Sequence, residues 1–168
     1  YVLVRNPYYP SLVTKFLLNP DVVDVIGFCT KNPRPMFKYL DELKPFGQFW
    51  YISITGFDKD IEPNVPSIDQ VIEDFKFLSY KVGKNAIALR YTPIIINEKY
   101  TLQRHIDTFE YITSKLEGYT SLAVFGFVDI YDKLKRNHPE IIDCDDSLKI
   151  IIAKEFLKIA NKHHMELR

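Results

Sequence analysis

Short apolar runs typical of strands alternate along this chain with runs whose apolar residues recur at helical spacing. The strand-like runs are rich in β-branched and aromatic residues and are mostly apolar on both faces, as in a covered parallel sheet. The predicted strands are residues 2–6, 25–30, 49–55, 86–91, 122–129 and 165–168. Because successive strand–helix units require right-handed crossovers, this order predicts an α/β fold with a mainly parallel sheet.

Helix signals fill the segments between these strands. Pro35 suits the first turn of a short helix, and Ser67 followed by Gln70 is a capping-box pattern. Thr101 is predicted to begin the next helix, and Ser147 is predicted to cap the last one. The chain therefore predicts four strand–helix units in succession.

Two topologies fit this alternation, a doubly wound open sheet and part of a (β/α) barrel. No Gly-x-Gly-x-x-Gly follows any strand, which disfavours a dinucleotide-binding fold. We therefore predict a single domain over residues 1–168 with a (β/α) TIM-barrel-like fold. A full barrel needs about 200–250 residues or more. Since the chain begins and ends in strand-like runs, we expect an incomplete barrel, truncated at both ends and cut from a longer protein.

Charge and cysteine usage narrow the classes of partner. Lys plus Arg and Asp plus Glu number 22 each, so no net field attracts nucleic acid or an anionic membrane. No apolar run approaches the roughly 20 residues that span a bilayer. The two cysteines are far apart, which disfavours a disulfide framework and favours a reducing, cytoplasmic location. Neither His-x-x-x-His nor Cys-x-x-Cys occurs, so no metal site is predicted within this segment.

Ligands of parallel α/β sheets bind at the carboxyl ends of the strands, so polar residues there are the candidate site. Period-two alternation predicts that Arg90 faces inward, on the side opposite Leu89 and Tyr91. The same alternation predicts that Ser53 and Thr55 face inward, opposite the apolar face of their strand. The candidate catalytic residues are Lys31 and Asp129, and the candidate substrate- or cofactor-binding residues are Asn6, Asn32, Ser53, Thr55 and Arg90. A small-molecule substrate is the expected partner.

Each of these polar groups also has a plain structural interpretation. Arg90 and Asp129 could simply pair to close the top of the sheet, since buried charges must be paired. Lys31 could be an anion clamp, a base made neutral by burial, or a solvated lysine at a strand end. These alternatives stay open at the level of sequence.

Other titratable residues are weaker candidates. The loop after the third predicted strand carries carboxylates that could bind a metal ion, but solvated side chains are the favoured interpretation, at Asp58, Asp60 and Glu62. His105 is predicted to face solvent from a helix. His163 and His164 are adjacent, so they are expected to point to different sides of a helix rather than to form a ligand pair.

Seven segments, in order along nearly the whole chain, resemble one family of sequences. They are residues 1–7 (YVLVRNP), 20–24 (PDVVD), 30–33 (TKNP), 60–66 (DIEPNVP), 90–94 (RYTPI), 97–100 (NEKY) and 127–131 (FVDIY). The chain resembles the bacterial and archaeal domain-of-unknown-function family DUF1848. Two positions depart from the family pattern, since Thr92 stands where Asp is expected and Cys29 where an aromatic residue is common.

The resemblance to this family implies a fold and cofactors that the residues of this segment do not themselves indicate. Family members are similar in outline to radical S-adenosylmethionine enzymes, which implies a β/α barrel, a [4Fe–4S] cluster and S-adenosylmethionine as cofactors. A cluster requires closely spaced cysteine thiolates. This segment has none, so the ligands are expected beyond Arg168, and a further strand is expected before Tyr1.

Three hypotheses about function follow. The leading one is an iron–sulfur enzyme of radical-S-adenosylmethionine type, with Lys31, Thr55, Arg90 and Asp129 around the cofactor or substrate. The second is a metal-independent barrel that acts on or binds a small anionic metabolite. The third is a non-catalytic scaffold or binding module. The oligomeric state is left open.

Overall fold

The chain folds into seven strands, four α-helices and one 3-10 helix, in a computed structural model that describes residues 1–168. In chain order they are β1 (Val2–Arg5), β2 (Val13–Phe16), β3 (Val25–Thr30), the 3-10 helix (Arg34–Tyr39), β4 (Gly47–Ser53), α1 (Ile68–Val82), β5 (Ile87–Ile94), α2 (Leu102–Leu116), β6 (Leu122–Phe127), α3 (Asp132–Asn137), α4 (Asp146–Lys162) and β7 (Glu166–Leu167). None of the helices combines the length and the apolar character that crossing a bilayer requires.

The main sheet has five parallel strands in the order β3-β4-β5-β6-β7. The predicted α/β fold with a parallel sheet is confirmed. Because the strands lie side by side in chain order, no reversal occurs in the sheet, unlike in a doubly wound fold. The edge strands β3 and β7 do not pair with each other, so the sheet is open and no closed barrel is seen.

The first predicted strand does not join this sheet. β1 pairs instead with β2, antiparallel, and Val2 lies opposite Phe16. The reason is local, because the Asn6 side chain accepts hydrogen bonds from the backbone N–H groups of Tyr8 and Tyr9 and turns the chain back. All eight residues of this hairpin are exposed. The prediction that this segment belongs to the parallel sheet was wrong.

One face of the main sheet is covered by α1, α2 and α4. Alternate strand residues, among them Trp50, Ile52 and Leu89, are fully buried there together with apolar side chains of these helices. The rings of Phe109 and Phe156 stack at 4.1 Å between α2 and α4. The alternation predicted for β4 and β5 is observed, so the other set of side chains, with Arg90 among them, faces away from the helices.

Helix caps follow the sequence signals except at α4. Ser67 and Thr101 accept hydrogen bonds from the backbone N–H groups three residues later, as predicted. At α4 the cap is Asp145, which accepts from the N–H of Leu148, and not Ser147. A carboxylate at this position also meets the positive end of the helix dipole, which favours it over a hydroxyl.

His105 is buried, with 2% of its surface exposed, so the prediction that it faces solvent was wrong. Its Nε2 donates to the Ile95 carbonyl at 2.8 Å, and its Nδ1 accepts from the Tyr91 hydroxyl at 2.8 Å. Burial lowers the pKa of His105. The residue falls on the buried face because it precedes the fully buried Phe109 by one helical turn. It is a structural link between β5 and α2.

Candidate functional site

The carboxyl ends of β3, β4 and β5 bring four of the candidate residues onto one edge of the sheet. Ser53 pairs in register with Arg90, and Thr30 pairs with Ile52, so Lys31 follows at the level of Ser53. Thr55 lies two residues beyond Ser53 and is buried. Polar side chains that are far apart in the sequence, from Lys31 to Arg90, therefore meet at one edge of the sheet. Parallel sheets bind their ligands at this edge.

Lys31 forms an ion pair with Glu62, a contact that the sequence did not predict. Its Nζ lies 2.6 Å from Glu62 Oε1 and donates to Thr55 Oγ1 at 3.1 Å. The Thr55 hydroxyl in turn donates to Glu62 at 2.9 Å. Glu62 is thus a largely buried partner of Lys31 rather than a solvated carboxylate, and Lys31 is an ion-paired residue rather than a solvated lysine.

Arg90 is the cation of this edge that lacks a carboxylate. It is half-buried, and its Nη1 lies 3.4 Å from Ser53 Oγ and 3.8 Å from Cys29 Sγ. Asp129 lies exposed beyond the end of β6 and makes no ion pair with Arg90. The interpretation that these two residues close the top of the sheet was wrong, because Arg90 turns toward β4 and β3 instead.

The two asparagines among the candidates lie apart from this group. Asn6 closes the turn between β1 and β2, outside the main sheet. Asn32 is exposed in a small turn at the end of β3, where its backbone N–H donates to Thr30 Oγ1. Asn32 is thus next to Lys31 in the chain, but its side chain makes no hydrogen bond.

A cavity of about 460 Å³ opens beside the end of β4. Ser53 and Thr55 line it, together with the loop after β4, the first turn of α1 and one side of α2. Arg104, Thr108 and Tyr111 are the α2 side chains in this wall. The volume lies within the range of about 300–1,000 Å³ that small-molecule sites occupy. The cavity joins the polar edge through Ser53, which also contacts Arg90.

The loop that roofs this cavity is anchored by ion pairs. Lys99 Nζ lies 2.9 Å from both Asp58 and Asp60, and Arg104 lies 3.0 Å from Asp58. The Tyr100 hydroxyl donates to Asp60 at 2.7 Å, and together with Lys99 it lowers the pKa of Asp60 to about 2. Asp58 and Asp60 remain exposed, as predicted, and they also pair with Lys99 just before α2 and Arg104 on α2. The prediction was wrong only for Glu62, which is largely buried.

The residues of this chain do not fit an iron–sulfur cluster. Cys29 is exposed at the polar edge, whereas Cys144 is buried just before α4. Two thiols on separate elements do not supply the closely spaced ligand set that a cluster needs. No group of three or more His, Cys, Asp or Glu side chains is placed to hold a metal ion.

The fold and the polar edge together define an α/β domain with a parallel sheet and a basic group at the strand carboxyl ends. The chain belongs to the DUF1848 family, the family described as "Domain of unknown function (DUF1848)", whose sequence profile matches residues 1–168. The resemblance inferred from the seven segments is thereby confirmed. Neither a curated protein nor a solved structure matches the chain.

Proposed function

We propose that this domain binds a small anionic molecule at the carboxyl ends of β3, β4 and β5, with Arg90 as the anion clamp. The observation that carries the proposal is a half-buried guanidinium that has hydroxyl and thiol neighbours but no carboxylate. A guanidinium presents a rigid fork of donors that matches a carboxylate or phosphate group. An anion would therefore supply the partner that Arg90 lacks.

The charge balance of the edge supports the same ligand class. Lys31 is neutralised by Glu62, so the uncompensated positive charge lies on Arg90. Ser53 contacts this guanidinium and also lines the adjacent cavity. Arg90 itself does not line that cavity, so we propose that a ligand bound to Arg90 reaches it only by passing Ser53 at the end of β4.

A barrel arrangement is part of this proposal. Five parallel strands in chain order, with helices on one face, form the repeating arrangement of a (β/α) barrel. We propose that the sheet is a segment of such a barrel, which would make the Arg90 face its interior and the polar edge its mouth. The radical-S-adenosylmethionine hypothesis stays a prediction of the family resemblance, since no thiol pair in this chain supports it.

If the bound anion is a substrate, Lys31 is the group best suited to move a proton. Its ammonium lies at the edge with 29% of the side chain exposed, and Thr55 connects it to the more deeply buried Glu62. The predicted role of Asp129 has no contact that supports it.

The experiment is a calorimetric titration of the whole chain with glutarate, pentanoate and inorganic phosphate. We expect at least one of these anions to bind, and Arg90→Ala to weaken that binding by at least about tenfold, because charge-assisted bonds are lost. Arg136→Ala is the matched control, since Arg136 is exposed on α3 and makes no ion pair. Unchanged binding by the Arg90 variant, or no binding of any anion by the wild type, would contradict the proposal.

A further inference from the structure

The Arg90 guanidinium extends over β4 toward β3, on the face of the sheet that the helices leave uncovered. Its Nη1 lies 3.4 Å from Ser53 Oγ on β4 and 3.8 Å from Cys29 Sγ on β3. These two contacts identify the surface beside the guanidinium. An anion bound to Arg90 therefore lies next to β3 and β4, and the rest of the ligand lies along the same two strands.

Two aromatic residues of β4, Phe49 and Tyr51, form what we call the aromatic wall on this surface. They precede Ser53 at alternate positions, so all three side chains lie on the same face. Their ring centroids are 4.9 Å apart, with the ring planes at 64°, and both residues are half-buried. Tyr51 pairs in register with Cys29, whose thiol contacts Arg90. The aromatic wall is thus adjacent to the guanidinium.

A glycine in β3 leaves room in front of the aromatic wall. Gly27 pairs in register with Phe49. It lies on the uncovered face together with Cys29, because the intervening Phe28 stacks on the buried Trp50 on the other face. A carbon atom added at Gly27 would meet no atom within 4 Å apart from the adjacent residues. A glycine inside a strand often marks a point where a ligand approaches the backbone closely.

The space over Gly27 suits one ring with one anionic group. Gly27 and Cys29 are two residues apart, which is about 6–7 Å along a strand. A carboxylate at the guanidinium beside Cys29 therefore places a ring bonded to it over Gly27. An aromatic ring at this position can pack edge-to-face or offset-stacked against the aromatic wall, as aromatic pairs prefer. The fork of a single guanidinium matches one carboxylate.

We infer that the anion bound by Arg90 is an aromatic carboxylate, whose carboxylate pairs with the guanidinium and whose ring lies over Gly27 against the aromatic wall. The inference rests on the proposed function, since it needs Arg90 to bind the carboxylate. It adds the chemical class of the ligand. It also assigns binding roles to Phe49, Tyr51 and Gly27, which are not among the polar residues at the strand ends.

The test compares benzoate with cyclohexanecarboxylate, which has the same number of carbon atoms and the same carboxylate but a puckered, non-aromatic ring. By calorimetry of the wild-type chain, we expect benzoate to bind at least about fivefold more tightly, as contacts between aromatic rings provide. Arg90→Ala should weaken the binding of both acids. Arg136→Ala should change neither.

Tyr51→Leu separates the aromatic contact from apolar burial. Leucine keeps an apolar side chain at this position but has no aromatic face, so we expect the preference for benzoate to fall at least about threefold. Binding of cyclohexanecarboxylate should stay within about twofold. Tyr80→Leu is the matched control, because Tyr80 is 85% exposed on α1, away from this face, and its replacement should alter neither affinity.

Gly27→Val tests the space itself. The valine side chain has room in the unliganded protein, and valine favours strands, so the melting temperature should be unchanged or raised. The same side chain occupies the position of the ligand ring, so we expect benzoate to bind at least about tenfold more weakly. Tyr51→Leu keeps the test decisive whatever Gly27→Val does to folding.

The outcomes distinguish the inference from the proposed function. Equal binding of the two acids by the wild type would overturn the aromatic-carboxylate inference alone, as would an unchanged preference for benzoate in Tyr51→Leu. Unaltered benzoate binding by a folded Gly27→Val variant would overturn it too. Binding of pentanoate or phosphate that depends on Arg90 would still support the proposed function in each of these cases. If the wild type binds no anion, both are wrong.

Discussion

At the scale of single residues, the partners of a side chain decide what it does. Arg34 on the 3-10 helix forms three hydrogen bonds to Asp74 and is a structural residue. Arg90 has the same chemistry, but its neighbours are Ser53 and Cys29 and no carboxylate. The difference in function that we propose therefore comes from the surroundings of each guanidinium and not from the residue type.

The two cysteines test whether the surroundings of a side chain decide its reactivity. Cys29 is exposed beside Arg90, whereas Cys144 is 6% exposed and burial raises its pKa. Since the thiolate is the reactive form, we expect iodoacetamide to label Cys29 first and Cys144 only after unfolding. Peptide mass spectrometry over time measures both rates, and Cys29→Ser should remove the fast phase. Equal labelling of the two thiols in the native protein would contradict the structure.

At the scale of elements, α2 and α4 are joined by a charged cluster at their carboxyl ends. His163 lies between Glu110 at 3.0 Å and Glu117 at 3.1 Å, one carboxylate at each ring nitrogen. Lys162 also pairs with Glu110, and the exposed His164 lies 3.8 Å from Glu117. Two carboxylate partners require both ring nitrogens to donate, so the cluster is complete only when His163 is protonated.

This cluster predicts a pH dependence of stability. Burial lowers the pKa of His163, but the hydrogen bonds that its ring donates to Glu110 and Glu117 outweigh burial, so the pKa is raised. Protonated His163 therefore stabilises the folded state. The stabilisation is complete at pH values below the unfolded-state pKa of about 6.5, and it is lost as the pH rises through the folded-state pKa. We expect His163→Gln to cost about 1–3 kcal/mol at pH 6 and clearly less at pH 8.5.

Urea unfolding of the wild type and of His163→Gln across this pH range measures the difference. His138→Gln is the control, since the His138 side chain is 44% exposed and pairs only with Glu140. If the difference in the free energy of unfolding between the wild type and His163→Gln grew as the pH rose, the predicted direction of the pH dependence would be wrong. Lys162 and His163 lower the pKa of Glu110. The ionised Glu110 therefore stabilises the folded state at pH values above the ordinary pKa of a glutamate, and this stabilisation is lost only in acid.

At the scale of the whole molecule, stability comes from one face of the sheet. The helices bury a single apolar cluster there, while all eight strand residues of the β1–β2 hairpin are exposed. Two phenylalanines therefore have opposite expected effects. Phe156 is fully buried against Tyr91 and Phe109, and Phe16 is 51% exposed in the hairpin.

We expect Phe156→Ala to lower the free energy of unfolding by about 3–5 kcal/mol, because it leaves a cavity in the core. Phe16→Ala should change it by less than about 0.5 kcal/mol. The chain has one tryptophan, Trp50, which is fully buried and stacked on Phe28 at 3.8 Å. Its fluorescence in urea reports the unfolding of this core, and similar losses for both variants would contradict a core on one face only.

The sequence by itself determined the alternating elements, the parallel sheet and the faces of β4 and β5, because side-chain direction along a strand or helix follows from backbone geometry. It therefore predicted that Arg90 and Ser53 share a face. The same local rules placed residues 2–6 in the wrong sheet, since strand pattern does not identify the strand that pairs with it.

Only the tertiary structure decided which distant residues meet. The contact of Lys31 with Glu62, the burial of His105 and the absence of an Arg90–Asp129 pair each depend on packing between separate elements. The alignment of Lys31, Ser53 and Arg90 at one edge depends on strand register, which no single strand encodes. Local periodicity thus specifies the face on which a side chain lies, and pairing across the sheet specifies its neighbours.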